Sequence, residues 1–355
     1  MQQRIAFVRS KDSTNIAYAL SGEGPPLVKA GTWMTHVHHD WNSPVWAHWL
    51  HYLSSRHTLV RYDPRGTGLS QTDVGQIKFS DWVDDLEAVV DKLELERFPL
   101  LGLSQGAAVS VEYAVRHPDR VSQLILYAPH VTGWSGRKNP WAAQWAAMEQ
   151  LVSTGWGEGN MAFASMFANL FLPDSSAETR QWYAELQTNS ATKEVASQFM
   201  AVLSQLSVFS KLKELRVPTL VIQVAREQVI NPSMVIDIAS EIPGAQFASI
   251  DSGNHLLLED EPGWQEFKKV LAAFLPVPNQ QIANSTAADP ARLESLSKRE
   301  MQIFTEVARG LNNREIADNL FISEKTVRNH ITHVFDKLGV NSRSQAIVMA
   351  KALGI

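Results

Sequence analysis

Ser104 lies in Gly102-Leu103-Ser104-Gln105-Gly106, after an apolar run and before Ala107-Ala108-Val109-Ser110-Val111-Glu112-Tyr113-Ala114, which reads as a helix. Glycines flanking a serine permit the tight strand-to-helix turn that lifts a hydroxyl above a sheet, the context an acyl-transfer nucleophile needs. Ser252-Gly253-Asn254-His255, ahead of a terminal helix, offers an imidazole base at a suitable distance along the chain. Between them, Pro218-Thr219-Leu220-Val221-Ile222 leads to Glu227 in a loop, where an acid could orient that imidazole. The chain order serine, acid, histidine separates this set from the other serine hydrolase arrangements. A fold that keeps these residues and only binds remains the alternative.

A second kind of chemistry is written in residues 293–355. Ser297-Lys298-Arg299-Glu300 forms a capping box, followed by apolar Ile303, Phe304 and Val307 and stopped by Gly310. After Asn312-Asn313 a short helix, Arg314–Leu320, leads through Phe321-Ile322 to Ser323, a second N-cap. From Glu324 to Leu338, the residues Val327, Ile331, Val334, Phe335 and Leu338 recur at helical spacing and define one buried face. Lys325, Arg328, Asn329 and Thr332 fall largely on another face. An apolar side anchored on its own domain, opposite a side of hydrogen-bond donors, is the layout of a helix that enters the major groove. Ser342-Arg343-Ser344-Gln345 then caps a last helix that ends near Gly354. A helical tail used for protein contacts has the same spacing and is the competing reading. His330 and His333 are assigned no chemistry.

These groups need elements to hold them. Residues 1–275 alternate short apolar runs with helical patterns, which predicts a doubly wound α/β domain. Its strand candidates include Pro26-Leu27-Val28, Thr58-Leu59-Val60-Arg61-Tyr62, Phe98-Pro99-Leu100-Leu101-Gly102, Leu124-Ile125-Leu126-Tyr127 and Thr219-Leu220-Val221-Ile222. Their unbroken apolar character predicts strands covered on both faces. Residues 129–215 read as a helical cap rich in aromatics, with Trp134, Trp141, Trp145, Trp156 and Trp182 among them. A pocket lined by such residues suits an apolar or aromatic ligand of modest size. Residues 276–291 are polar, small and bounded by proline, the composition of a linker, and 292–355 form a small all-α domain.

The chain has 355 residues, enough for two domains each with its own core, and 45% hydrophobic content argues against extensive disorder. Net charge is -5, an average that hides an asymmetry. Residues 291–355 carry 10 Lys and Arg against 7 Asp and Glu, while the rest carries 22 against 30. A basic module on an acidic body fits a nucleic-acid-reading tail attached to a domain of different function. Zero cysteines exclude disulfides, thiolate metal sites and thiol redox sensing. His36, His38 and His39 share a loop with Asp40 but with no further ligand set, so neither a metal nor another cofactor is expected. No apolar stretch suits a membrane span and the first residues lack a signal-peptide layout, so the expectation is a cytoplasmic protein without a membrane partner.

Over roughly residues 5–275 the chain resembles the α/β-hydrolase-fold family, with Asp63-Pro64-Arg65-Gly66-Thr67-Gly68-Leu69-Ser70 matching that family's Asp-x-Arg-Gly-x-Gly-x-Ser loop. The resemblance implies Ser104 as nucleophile, His255 as general base and Glu227 as orienting acid. It also implies that the backbone N–H of Gln105 supplies half of an oxyanion hole. Two departures stand out. Ala30-Gly31-Thr32-Trp33 replaces the usual His-Gly pair, which leaves Trp33 or Thr32 as the second donor, and the acid is glutamate where aspartate is usual. Slow turnover is the consequence if one donor is missing, since its loss costs on the order of 100- to 1000-fold in rate.

Leu296-Ser297-Lys298-Arg299-Glu300, Glu315-Ile316-Ala317, Ile322–Ile331 and Lys337-Leu338-Gly339-Val340 closely resemble the LuxR-type helix-turn-helix family. The resemblance implies double-stranded DNA as partner and a homodimer paired through the final helix. It implies Arg328, Asn329 and Thr332 at the bases and Lys325, Lys337 and Arg343 at phosphates. Together the two halves resemble bacterial regulators whose signal-binding domain has the hydrolase fold. The expectation is a ligand-responsive transcriptional regulator. A serine esterase or carbon–carbon hydrolase with a secondary DNA-binding tail is the alternative, and slow hydrolysis that resets a sensor combines the two.

Overall fold

The computed structural model describes residues 2–135, 140–157, 161–276, 293, 295–338, 340, 343–352 and 355. The chain divides between Pro276 and Val277 into two compact units. The linker expected over 276–291 lies, beyond Pro276, outside the described residues.

In the first unit the apolar runs form the middle of one sheet: β3 (Pro26–Lys29), β4 (Thr58–Tyr62), β5 (Phe98–Leu103), β6 (Val121–Tyr127) and β7 (Thr219–Val224). All neighbouring pairs among them are parallel. Leu27, Leu101, Ile125 and Val221 are fully buried, as continuous apolar strands covered on both faces should be. Three further strands complete the sheet in the order β1-β2-β4-β3-β5-β6-β7-β8. β1 (Gln3–Arg9) and β2 (Asn15–Ser21) form an antiparallel hairpin, β2 pairs antiparallel with β4, and β8 (Gln246–Ile250) runs parallel to β7 at the other edge. β1 and β8 are largely solvent-facing, so no buried run advertises them in the sequence.

Helices α1 (Ala47–Ser54), α2 (Phe79–Lys92) and α3 (Gly106–Arg116) follow β3, β4 and β5, and the order is the alternation of a doubly wound domain. Between β6 and β7 the chain inserts α4 (Ala142–Gly155), α5 (Ala162–Phe171), α6 (Ala177–Ser190) and α7 (Lys193–Ser204), the helical cap. Ser176 and Thr192 cap α6 and α7 by accepting from the N–H groups of Thr179 and Val195. Helices α8 (Pro232–Glu241) and α9 (Pro262–Phe274) complete the unit, each opened by a proline that has no N–H to leave unpaired.

The loop after β4 is set by buried charge. Both carboxylate oxygens of Asp63 accept from the Val37 N–H, at 2.9 and 3.1 Å, and one also accepts from the Leu69 N–H at 2.9 Å. Burial pushes the Asp63 carboxyl up to about 7. Arg65 forks onto Asp85, with its Nη2 2.7 Å from Oδ1, and reaches Asp12 at 2.6 Å. The same loop holds the cap, because the Gly68 N–H donates to the Ser190 carbonyl at the end of α6. Val37 lies in the segment after β3, so Asp63 also fixes the approach of Thr32 and Trp33 to the sheet.

The second unit contains α10 (Lys298–Ala308), α11 (Asn313–Leu320), α12 (Glu324–Leu338) and α13 (Arg343–Ala352). Ser297 with Glu300 and Asn312 with Glu315 form full capping boxes, and Ser323 accepts from the Thr326 N–H at 3.1 Å. Helix α11 begins one residue earlier than Arg314 because Asn312 is its cap. Ile303, Phe304, Val307, Ile316, Val327, Val334 and Leu338 make the core, with Ile331 and Phe335 partly buried against it. Ser342 and Gly354, named as the bounds of the last helix, lie outside the described residues.

Candidate active site and nucleic-acid interface

Ser104 sits between the end of β5 and the start of α3 with φ +49°, a left-handed conformation rarely adopted by a residue with a side chain. The turn closes only because its neighbours are small. A Cβ on Gly102 would lie 2.6 Å from Ala107 Cα, and one on Gly106 would lie 2.8 Å from the Gly31 carbonyl oxygen. The second contact brings the start of α3 against the segment after β3, where Thr32 and Trp33 lie. The N–H of Gln105, at the helix N-cap, has no intrahelical carbonyl to meet.

His255 and Glu227 meet in the interior, both side chains fully buried, with Nδ1 of the imidazole hydrogen-bonded to Oε2 of the carboxylate. The extra methylene of glutamate is accommodated by its loop: Ala225 and Arg226 donate their N–H groups to the carbonyls of Ile250 and Ser252. That extends the β7–β8 pairing and carries Glu227 to the His255 loop. Edge strand β8, missed as an apolar run, thus aligns the acid with the base. Tyr127 Oη donates to the His255 carbonyl at 2.9 Å, and the His255 N–H donates to the Phe171 carbonyl of the cap at 2.8 Å. His255 Nε2 is buried without a hydrogen-bond partner, so it makes no hydrogen bond to Ser104 Oγ.

Ser104, Gln105 and Trp33 line one cavity of about 30 Å³ together with Trp134, Trp145, Phe167, Phe171 and Leu203 of the cap segment. Trp33 is buried, and its indole N–H donates to Gln187 Oε1 of α6 at 2.9 Å, while its ring stacks on Phe167 at 5.3 Å. With the indole committed to the cap, only the backbone N–H of Trp33 is left to face an oxyanion. Thr32 Oγ1 is committed too, donating to the Leu103 carbonyl. Two side chains are not singled out by the sequence: His130, just past β6, which lines the cavity, and Gln187, a buried glutamine in an ordinary helical stretch, which lies behind it as the partner of the Trp33 indole. Neither belongs to a motif, and only the contacts of His130 with Ser104 and of Gln187 with Trp33 reveal them.

His36 is buried while His38 and His39 are exposed, and their ring centroids lie 4.1 to 6.4 Å apart. Among the described residues no group of three or more such side chains is arranged to hold a metal ion.

In the second unit Lys325, Arg328, Asn329 and Thr332 are all exposed on α12, opposite buried Val327, Val334 and Leu338. Lys337 and Arg343 also have partners within the domain. Lys337 Nζ pairs with Glu300 at 2.7 Å and joins α12 to α10, and the half-buried Arg343 donates to Asn313 Oδ1 at 3.0 Å and to the Leu311 carbonyl. Both cations tie parts of the domain together, Lys337 while still exposed to solvent, which sequence spacing does not reveal because their partners are about 30 residues or more away. Lys337→Met is therefore expected to destabilise the second unit by about 0.5–1 kcal/mol, the range of a partly exposed pair, read from its thermal unfolding. Salt dependence of DNA binding should be nearly unchanged by that substitution.

Among the described residues no helix is long and apolar enough to cross a membrane. Residues 35–262 match the alpha/beta hydrolase fold family and residues 294–350 match the luxR family of bacterial regulatory proteins. Pyrrolizixenacetamide deacetylase of Xenorhabdus hominickii is 24% identical over 266 residues, 73% of this chain and 94% of that protein. Oxygen regulatory protein NreC of Staphylococcus aureus is 44% identical over 77 residues, 22% of this chain and 34% of that protein. A hydrolase from Pseudomonas aeruginosa PA01 superposes with a TM-score of 0.65 at 24% identity, covering 77% of this chain and 98% of that one. The chain belongs to the α/β-hydrolase-fold family and carries a C-terminal LuxR-type helix-turn-helix DNA-binding domain.

Proposed function

We propose that this protein is a cytoplasmic, homodimeric transcriptional regulator that binds double-stranded DNA through α12 and responds to a small apolar or aromatic ligand held beside Ser104. The observation that carries this reading is the narrow, aromatic-lined cavity beside Ser104. Ligand pockets usually measure about 300–1,000 Å³. At about 30 Å³ this cavity has room for roughly two waters. A ligand must therefore displace cap helices in order to bind, and a ligand that favours one arrangement over another is what shifts a two-state equilibrium.

Arg328, Asn329 and Thr332 face the bases and Lys325 contacts phosphate. Arg328→Ala is expected to cost about 1–3 kcal/mol of preference for a selected site over scrambled duplex, whereas Lys325→Ala weakens both alike and lowers the salt slope by about 1. Fluorescence anisotropy at several salt concentrations, with a duplex selected by the wild-type protein from a random pool, reads both. Specific binding left intact by Arg328→Ala would remove α12 from the recognition role.

The buried His255–Glu227 pair, together with the strained turn at Ser104, favours a second reading, a serine hydrolase whose DNA-binding tail is secondary. Slow hydrolysis that destroys the signal reconciles the two: Ser104 attacks, His255 takes its proton and Glu227 orients the imidazole, while the N–H groups of Gln105 and Trp33 receive the oxyanion. Fast turnover of simple esters, combined with DNA binding indifferent to every ligand that occupies the cavity, would decide for the hydrolase.

A further inference from the structure

His130 is placed over Ser104 by a second strained turn. Strand β6 ends at Tyr127, and Ala128 follows at φ +42°, its N–H donating to the Ile222 carbonyl at 2.8 Å. The chain swings out of the sheet there, and the His130 N–H donates to the Ser104 carbonyl at 3.0 Å. Adjacent strands β5 and β6 thus each end in a left-handed residue that carries a side chain, and strain of this kind concentrates where a site requires it. The His130 imidazole lies in the wall of the cavity beside Ser104.

Its protonation is fixed by its partners. The ring hydrogen-bonds the Leu203 backbone carbonyl of α7, and Nε2 is sealed from solvent with no partner. A donor at Nδ1 turned to that carbonyl leaves Nε2 with a lone pair. Burial holds the imidazole pKa down to about 4, so the ring is neutral at pH 7. Gln105 Oε1 is a second unpartnered acceptor in the same wall. No Lys or Arg is among the residues lining the cavity. The site therefore offers acceptors and lacks cations, and a buried acceptor left without a donor is costly.

We propose that His130 is the specificity-determining residue of this cavity: its Nε2 accepts a hydrogen bond from an O–H or N–H of a neutral ligand with an apolar body. The pocket takes phenols, alcohols or amides and rejects carboxylates, whose charge would be buried there with no counterion. This rests on the reading that the cavity beside Ser104 holds the ligand. It narrows that reading, since aromatic acids drop out and neutral donors remain.

Titrations of the full chain with phenol, anisole and benzoate test the idea, followed through tryptophan fluorescence because Trp134 and Trp145 line the cavity. The three probes share one ring and differ in offering a donor, no donor or a charge. Phenol is expected to bind at least roughly tenfold tighter than anisole, with benzoate showing no saturation. In His130→Phe the two neutral probes should come within about twofold of each other, and His130→Gln, which returns a carbonyl oxygen, should restore most of the difference. A role confined to pinning the loop to Leu203 would weaken all probes together and leave their order unchanged. Equal binding of phenol and anisole by the wild type, tighter benzoate, no saturable phenol binding, or a preference that survives in His130→Phe each overturns the proposal. The wild-type order alone decides the matter should a variant fail to fold. A phenol preference that persists while DNA binding ignores phenol would sink the regulator reading and leave this one standing.

Discussion

Ser104→Ala is expected to slow hydrolysis of an activated ester such as p-nitrophenyl acetate by at least about 1000-fold, because the nucleophile, its base and its acid act as one unit. Thermal stability and binding of the selected duplex should be retained. The hydroxyl is the only group removed, and the left-handed turn at φ +49° is built by the neighbouring glycines and the contact of α3 with Gly31. Ser104→Gly sharpens the test. Glycine adopts this conformation without the penalty of a Cβ, so that variant is expected to be about 1 kcal/mol more stable than the wild type and equally inactive. A stabilised, inactive Ser104→Gly marks strain held in place for chemistry. Unchanged ester turnover in Ser104→Ala, measured by stopped-flow release of nitrophenolate, removes Ser104 from the nucleophile role. If the wild type itself does not turn over, the first unit is a binding fold.

Arg65→Met has the largest expected effect on stability. The Asp85 carboxylate is completely buried and held by the Arg65 fork, and loss of one partner from such a pair costs about 3–5 kcal/mol. The deficit should depend on pH in a definite direction. Burial raises the Asp85 pKa even with Arg65 present, and removing the guanidinium raises it further. A carboxyl whose folded pKa lies above its unfolded value takes up protons on folding, so stability falls as pH rises from the unfolded pKa toward the folded one. Arg65→Met should therefore lose more at pH 8 than at pH 5. Arg65→Met with Asp85→Leu removes the orphaned charge and should recover a good part of the loss, read by denaturant unfolding of the first unit. A single variant as stable as the wild type at pH 8 would mean that the network does not hold the Asp63–Ser70 loop.

The site residues differ in how they became legible. Ser104 was legible because Gly102 and Gly106 are a local requirement of one turn, and the caps at Ser297 and Ser323 because a helix start is likewise a local event. The five central strands showed because burial on both faces leaves continuous apolar runs, whereas β1 and β8 face solvent and left none. His130 and Gln187 carry no local signature, since an imidazole past a strand end and a glutamine in a helix acquire meaning only from their contacts with Ser104 and Trp33. Lys337 and Arg343 sit among other donors in the sequence and look like them. Only the fold shows that Glu300 and Asn313 engage them, Lys337 at the surface and Arg343 half-buried.

What this sequence determined by itself is therefore what short-range sterics and hydrogen bonding dictate: the turn at Ser104, the helix caps, the buried strands and the donor face of α12. Tertiary structure alone decided how Glu227 is carried to His255, how tightly the cap packs beside Ser104, and which residues Lys337 and Arg343 pair with. Those outcomes depend on contacts between residues distant in the chain, and whether two such side chains meet is set by how the intervening elements pack.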